Sequence, residues 1–195
     1  MKKLLITGFE PFGGEQINHS WEAVALLPVE IKDYSLTKMQ IPVVFGEAAD
    51  MVIKMTDKLC PDVILCIGQA GGRSAITPEL VAINLRHASI PDNSGRQPLD
   101  EPIAMGGETA YFSTVPVRRI SEAINSSGIT STVSYSAGAY VCNDLLYNLL
   151  AHFNGSKTKV GFIHVPYSTD QGKEPSMDIE SIVRGLTVAI ENLNV

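Results

Sequence analysis

Residues 62–72 read DVILCIGQAGG, and this stretch decides the fold class. From Asp62 to Ile67 the chain is a nearly continuous apolar run, which is typical of a strand buried on both faces of a sheet. The glycines that follow, at Gly68, Gly71 and Gly72, indicate a turn at the end of that strand. Because both faces of such a strand must be covered, the stretch predicts helices on either side of a sheet.

The rest of the chain alternates strands and helices around this stretch. Further strands are predicted at residues 3–7, 34–41, 80–85, 130–135 and 159–165, and helices at 20–27, 45–59, 117–125, 140–153 and 179–193. This alternation predicts an α/β fold, and a single domain over residues 1–195 because no repeat or linker interrupts it. Residues 89–107 are rich in Pro, Gly, Asp and Asn and lack a period, which predicts a long functional loop or lid.

The composition restricts the partners and the compartment. Fifteen Lys and Arg against 21 Asp and Glu give a net charge of −6, which disfavours nucleic acid and anionic membranes as partners. No apolar run reaches the roughly 18 residues of a membrane span, and the apolar start is too short for a signal peptide. Cys60, Cys66 and Cys142 cannot all pair, which indicates a reducing compartment. We therefore expect a soluble, cytoplasmic protein with no nucleic-acid or membrane partner.

Cys142 is the candidate nucleophile. It follows the small residues Ala137, Gly138 and Ala139, where a predicted strand passes into a predicted helix. The free backbone N–H groups and the dipole at a helix start favour a thiolate and could hold an oxyanion. The alternative is that Cys142 is a small buried hydrophobic residue, as most lone cysteines are.

A thiol nucleophile needs a base, and the base needs an acceptor that orients it. His164, near the carboxyl end of a predicted strand, is the best placed base, whereas His19, His87 and His152 are expected to be solvated. Glu79, at the edge of an apolar strand, is the candidate acceptor. A strand-capping histidine and a solvated glutamate would look similar, so the residues form only a candidate set. No HExxH or paired CxxC motif is present, which makes a metal site unexpected.

Four separated groups of residues are similar to the motifs of a known protein family. In chain order they are TGFEPFGG at 7–14 with Asn18 and Trp21-Glu22, GQAGGR at 68–73 with TPE at 77–79 and VAIN at 81–84, Ala137-Gly138 with VCN at 141–143, and HVP at 164–166. Together they resemble the pyroglutamyl peptidase I family, also called pyrrolidone-carboxylate peptidases. The resemblance covers nearly the whole chain in the family's order and length.

The resemblance implies a cysteine peptidase that removes an N-terminal pyroglutamyl residue from peptides. It also implies a three-layer α/β/α sandwich with a mixed twisted sheet, a homo-oligomer (a tetramer or a dimer) and no cofactor. The implied catalytic triad falls on Cys142, His164 and Glu79. The implied substrate-binding positions are Phe9, Phe12, Asn18, Gln69, Tyr140 and Val141.

Two positions depart from the family pattern. The family commonly has Lys or Arg after the glutamate and Arg before Ile-Pro-Asp-Asn, where this chain has Leu80 and Ser89. The oxyanion would then depend on backbone N–H groups, on Arg86 or on another nearby donor, and activity would be lower. Two other functions therefore stay open. One is a pyroglutamyl-peptide binder with little or no activity. The other is a nucleoside phosphorylase-like enzyme, since glycine-rich turns after strands also bind phosphate, although only Arg73 and Arg86 lie near those turns.

Overall fold

The structure is a computed structural model that describes residues 1–194, and a mixed six-stranded sheet forms its centre. The strands are β1 (Lys2–Phe9), β2 (Glu30–Ile31), β3 (Tyr34–Ile41), β4 (Val63–Gln69), β5 (Thr77–Pro78), β6 (Val81–Ile83), β7 (Ala110–Phe112), β8 (Lys159–Val165), β9 (Tyr167–Ser168) and β10 (Ser176–Met177). The central sheet has the order β2-β3-β1-β4-β8-β5. Its four long strands are parallel, whereas β2 and β5 run antiparallel to their neighbours.

Helices cover both faces of this sheet. They are α1 (His19–Leu26), α2 (Glu47–Leu59), α3 (Val117–Ser126), α4 (Val141–His152) and α5 (Ile179–Glu191). Side chains of β1 alternate between two buried clusters: Leu4 and Ile6 pack with α1, α3 and α5, and Leu5 packs with α2 and α4. This alternation follows from the two-residue period of a strand. The three layers of the predicted α/β/α sandwich are therefore confirmed.

The predicted strand at residues 130–135 is wrong as a regular strand. The segment runs beside the β5 region through isolated bridges, one of them between Ser131 and Ile76. The Asn125 side chain bonds both the backbone N–H and the carbonyl of Ser131, and the Ser131 hydroxyl donates to the carbonyl of Ile76. Because side chains take backbone groups that a ladder would use, regular pairing does not extend.

The remaining predicted elements are present, with ends that differ from the predictions by a residue or two. The strand predicted at 80–85 is the short β6, which pairs with β7 outside the central sheet. Residues 84–109, which include the predicted loop, contain neither helix nor strand. Within residues 1–194, no helix is both long and apolar enough to cross a membrane.

The fold brings the carboxyl ends of β1, β4 and β8 to one edge of the sheet. Phe9 ends β1 and Gln69 ends β4, while His164 lies next to the last residue of β8. Gly68 is opposite His164 in the parallel register. Ligands of open parallel sheets bind beyond such carboxyl ends, so this edge is where a site is expected.

Candidate active site

A cavity of about 150 Å³ opens at this edge of the sheet. Its lining includes two of the predicted catalytic residues and all of the predicted substrate-binding residues. The lining residues are Phe9, Phe12, Asn18, Val43, Gln69, Ala137, Tyr140, Val141, Cys142 and His164. Val43 and Ala137 were not among the predicted site residues. Val43 lies just past the carboxyl end of β3, a position that the strand-end rule could have indicated.

Cys142 is the second residue of α4, in its first turn as predicted. Its sulfur lies over the backbone of Gly68: a Cβ atom on Gly68 would come within 3.1 Å of Cys142 Sγ and within 2.7 Å of the Phe162 ring. Only glycine therefore leaves room for the sulfur at this point of β4. Within residues 1–194, no side chain caps the start of α4, so its first backbone N–H groups stay available.

His164 and Glu79 form a buried pair, and His164 lines the same cavity as Cys142. His164 Nδ1 lies 2.6 Å from Glu79 Oε1, and the side chains are 4% and 0% exposed. A carboxylate can only accept, so Nδ1 carries the proton and Nε2 of the neutral ring is left as the basic atom. The pair comes from residues far apart in the chain, and β5 places Glu79 directly beside the end of β8.

Burial determines the resting protonation of the site. It raises the pKa of the Cys142 thiol to about 12, and the Glu79 charge acts in the same direction. Burial also lowers the pKa of His164, against the hydrogen bond and charge of Glu79. For Glu79, burial is outweighed by His164 and Arg73, which lower the pKa of the carboxyl. These pKa shifts favour a thiol and a neutral imidazole beside a carboxylate at rest, whereas the helix start alone would favour a thiolate.

Aromatic side chains form the walls of the cavity. The Phe12 and Tyr140 ring centroids are 6.1 Å apart, and Phe9 contacts Phe162 at 6.4 Å. Asn18 is buried at the cavity wall, where its carbonyl oxygen accepts from Ser20 and so caps α1. An apolar cavity with a few polar groups at its edge suits a small ring with polar atoms on its rim.

The prediction that His19 is solvated is wrong. His19 is 3% exposed, and its Nε2 lies 3.0 Å from a carboxylate oxygen of Asp170. Its backbone N–H donates to the side chain of Gln69, which lines the cavity. His87 and His152 are exposed, as predicted.

Neither arginine proposed for phosphate binding is free. Arg73 pairs with Glu79 at 2.7 Å, and Arg86 pairs with the buried Asp144 at 2.6 Å. A guanidinium held by a carboxylate has little charge left for a phosphate, so the phosphorylase-like alternative loses its basis. Ser89 is exposed, and neither Ser89 nor Arg86 lines the cavity.

The long loop is tied to the cavity by hydrogen bonds. The Tyr140 hydroxyl donates to the carbonyl of Pro91, and Asn93 donates to the carbonyl of Pro11. Asp92 is buried and accepts from the backbone N–H groups of Phe45 and Arg96. Because Pro11 and Tyr140 adjoin or line the cavity, these bonds fix the loop against its walls.

We expect Asp92→Asn to lower the free energy of unfolding by about 1–3 kcal/mol at pH 7, because an amide nitrogen would face an N–H donor. Burial raises the pKa of Asp92, but hydrogen bonds from Phe45, Ser94 and Arg96 outweigh it and lower that pKa. The stabilisation is therefore present above the unfolded-state pKa of about 3.9 and is lost as the pH falls below it. Urea denaturation at pH 7 and pH 3 measures the free energy of unfolding of Asp92→Asn and of the wild type. The difference between the two proteins should be smaller at pH 3 than at pH 7. Asp100→Asn, an exposed carboxylate, is the control, and equal effects of the two variants would contradict the prediction.

The chain is similar to known proteins over nearly its whole length. The family model for pyroglutamyl peptidase matches residues 2–194. A pyrrolidone-carboxylate peptidase of Lactobacillus helveticus is 46% identical over 194 residues, covering 97% of each chain. One of Bacillus subtilis is also 46% identical, over 96% of this chain and 90% of its own.

Solved structures show the same fold. The crystal structure of pyroglutamyl peptidase I from Bacillus amyloliquefaciens is 44% identical and has a TM-score of 0.94, with 99% of this chain and 97% of that chain covered. The pyrrolidone carboxyl peptidase from Thermococcus litoralis is 36% identical, also with a TM-score of 0.94, and 99% and 93% are covered. The chain therefore belongs to the pyroglutamyl peptidase family of cysteine-type hydrolases.

Proposed function

We propose that this chain hydrolyses the amide bond after an N-terminal pyroglutamyl residue by means of Cys142, His164 and Glu79. Cys142 is the nucleophile, His164 is the base and then the acid, and Glu79 orients His164. The observation that carries the proposal is that Cys142 and His164 line one cavity and that Glu79 binds His164. Cys142 Sγ lies over Gly68, His164 is opposite Gly68, and Glu79 Oε1 lies 2.6 Å from His164 Nδ1.

The proton moves as the sulfur attacks. Because Cys142 rests as a thiol, His164 Nε2 takes the Sγ proton while Sγ bonds to the pyroglutamyl carbonyl carbon. The imidazolium is stabilised by Glu79, and it then protonates the leaving amine as the C–N bond breaks. Water, deprotonated by the same nitrogen, attacks the thioester, and the returning proton restores the thiol. None of these steps requires a cofactor.

The oxyanion is best held by the backbone N–H groups at the start of α4. These groups have no side-chain cap among residues 1–194, and the positive end of the helix dipole lies there. Donors that are fixed before the reaction stabilise the tetrahedral intermediate without reorganising. The chain thus has a source of oxyanion donors even though Ser89 stands where the family commonly has arginine.

The cavity favours a pyroglutamyl ring. Phe9, Phe12 and Tyr140 offer apolar surfaces to the ring faces, while Asn18 and the backbone at Gln69 offer polar groups to its amide edge. The ring has no ammonium group, so it can enter an apolar cavity without an acidic partner. A prolyl residue brings a charge and lacks the second carbonyl, which leaves a buried donor unpaired.

We expect pyroglutamyl-aminomethylcoumarin to be turned over with a kcat/KM at least about 10–100 times that of prolyl-aminomethylcoumarin. Fluorescence of the released coumarin measures both rates. Comparable rates for the two substrates would contradict the proposed ring recognition. Binding of a pyroglutamyl peptide without turnover would instead favour the non-catalytic binder.

The proposal extends to the cellular compartment, the partners and the oligomeric state. The acidic net charge and the free thiols of Cys60, Cys66 and Cys142 support a reducing, cytoplasmic compartment with peptides as substrates and no nucleic-acid or membrane partner. We retain the expectation of a homo-oligomer, a tetramer or a dimer. Exposed apolar side chains such as Met105 and Phe112 offer surface for such contacts.

A further inference from the structure

Arg73 connects three parts of the site without lining the cavity. Its Nη1 donates to Glu79 Oε1 at 2.7 Å and to the Thr77 hydroxyl at 2.5 Å. Its Nη2 donates to the carbonyl of Ser136 at 3.1 Å, in the loop that leads into the helix of Cys142. One guanidinium therefore links the acceptor, the strand that carries it and the approach to the nucleophile.

The same oxygen of Glu79 accepts hydrogen bonds from both Arg73 and His164. His164 Nδ1 lies 2.6 Å from this Oε1, and the Glu79 side chain is fully buried while that of Arg73 is 27% exposed. The Thr77 hydroxyl, which Arg73 also binds, donates to the backbone carbonyl of His164 at 3.4 Å. Arg73 thus holds Glu79, which binds the ring of His164, and Thr77, which binds its main chain. Planar, multiple donors of this kind fix geometry in a way that a single ammonium cannot.

We propose that Arg73 is a positioning residue of the hydrolysis, which holds Glu79, and through it the ring of His164, in the orientation that lets His164 act on Cys142. This inference rests on the proposed function, because it assigns Arg73 a role only through the triad. Arg73 does not line the cavity, so its hydrogen bonds act through Glu79, while its charge also lowers the pKa values of His164 and Cys142.

The charge of Arg73 should also have a measurable effect on the pH dependence of kcat/KM. Burial is the main cause of the lowered pKa of His164; Glu79 opposes it, and the Arg73 charge acts with it. Without Arg73, the pKa of His164 rises. Since the base must be neutral to accept the thiol proton, the acid limb of the kcat/KM profile then moves to higher pH. The charged groups that act on the His164 ring are Glu79 and Arg73, and the titratable Cys142 lines the same cavity.

The test is a double-mutant cycle with Arg73→Met and Glu79→Gln, with kcat and KM for pyroglutamyl-aminomethylcoumarin measured from pH 5 to pH 9. We expect Arg73→Met to lower kcat/KM about 10-fold, mostly through kcat, and to raise the pH of the acid limb. In the Glu79→Gln background, the same change should cost less than about 2-fold, because the carboxylate that Arg73 holds is already absent.

Arg73→Lys keeps the charge but not the three-way geometry. In Arg73→Lys, the acid limb of the kcat/KM profile should lie at the wild-type pH, while kcat should stay below the wild-type value. The same cycle is run with this variant, which keeps the test usable if Arg73→Met does not fold. Arg118→Met, an exposed arginine on α3, is the matched control and should leave the profile unchanged.

Two results would overturn the inference. One is an equal loss from the Arg73 substitution in the wild-type and Glu79→Gln backgrounds. The other is wild-type kinetics in folded Arg73→Met while Glu79→Gln is impaired. Full activity of Glu79→Gln itself would refute the triad of the proposed function first, and the inference with it, so the two failures can be told apart.

Discussion

Cys142→Ala should lower kcat/KM for pyroglutamyl-aminomethylcoumarin by at least about 10⁴-fold, because no other group can form the acyl-enzyme bond. The loss should appear in kcat, since the aromatic walls that bind the ring remain. The substitution removes one sulfur atom that borders an existing cavity, so it leaves no new enclosed void in the core. The thermal unfolding midpoint should therefore stay close to that of the wild type.

Cys60→Ser is the matched control for this experiment, because Cys60 is an exposed thiol away from the cavity. Its activity should equal that of the wild type. Iodoacetamide should inactivate both the wild type and Cys60→Ser, because His164 can take the Sγ proton as the sulfur attacks the reagent. A saturating pyroglutamyl ligand should slow that inactivation. Retained turnover in folded Cys142→Ala would refute the mechanism.

His164→Gln should reduce kcat by about 10³–10⁵-fold, because a glutamine amide can donate to Glu79 but cannot take the thiol proton. In the wild type, the pKa of His164 lies below its usual 6.5 because of burial. The neutral base is therefore present above that lowered pKa and is lost as the pH falls through it. The acid limb of the wild-type profile should lie below the ordinary histidine range, and His164→Gln should have no such limb.

His152→Gln is the control for this variant, since His152 is exposed at the end of α4. It should leave both the rate and the pH profile unchanged. A folded His164→Gln variant with an acid limb like that of the wild type would assign the base to another residue.

Local patterns were sufficient for most of the fold. The apolar run at Asp62–Ile67 and its glycine turn correctly indicated a buried strand with helices on both sides, because burial of a strand shows directly in its residue types. The position of Cys142 in the first turn of a helix followed from the small residues before it. The failures came where side chains compete with the backbone, as at Ser131, whose backbone groups are taken by Asn125.

The sequence by itself therefore determined the layers of the fold, the place of Cys142 and His164 in their elements and, through four motifs, the family. Only the tertiary structure decided that Glu79 meets His164 across 85 residues, that Arg73 binds the same Glu79 oxygen, and that burial raises the pKa of the Cys142 thiol. The physical reason is that periodicity records which face of an element is buried. Distances between remote side chains, and the low polarity that shifts their pKa values, exist only once the elements are packed.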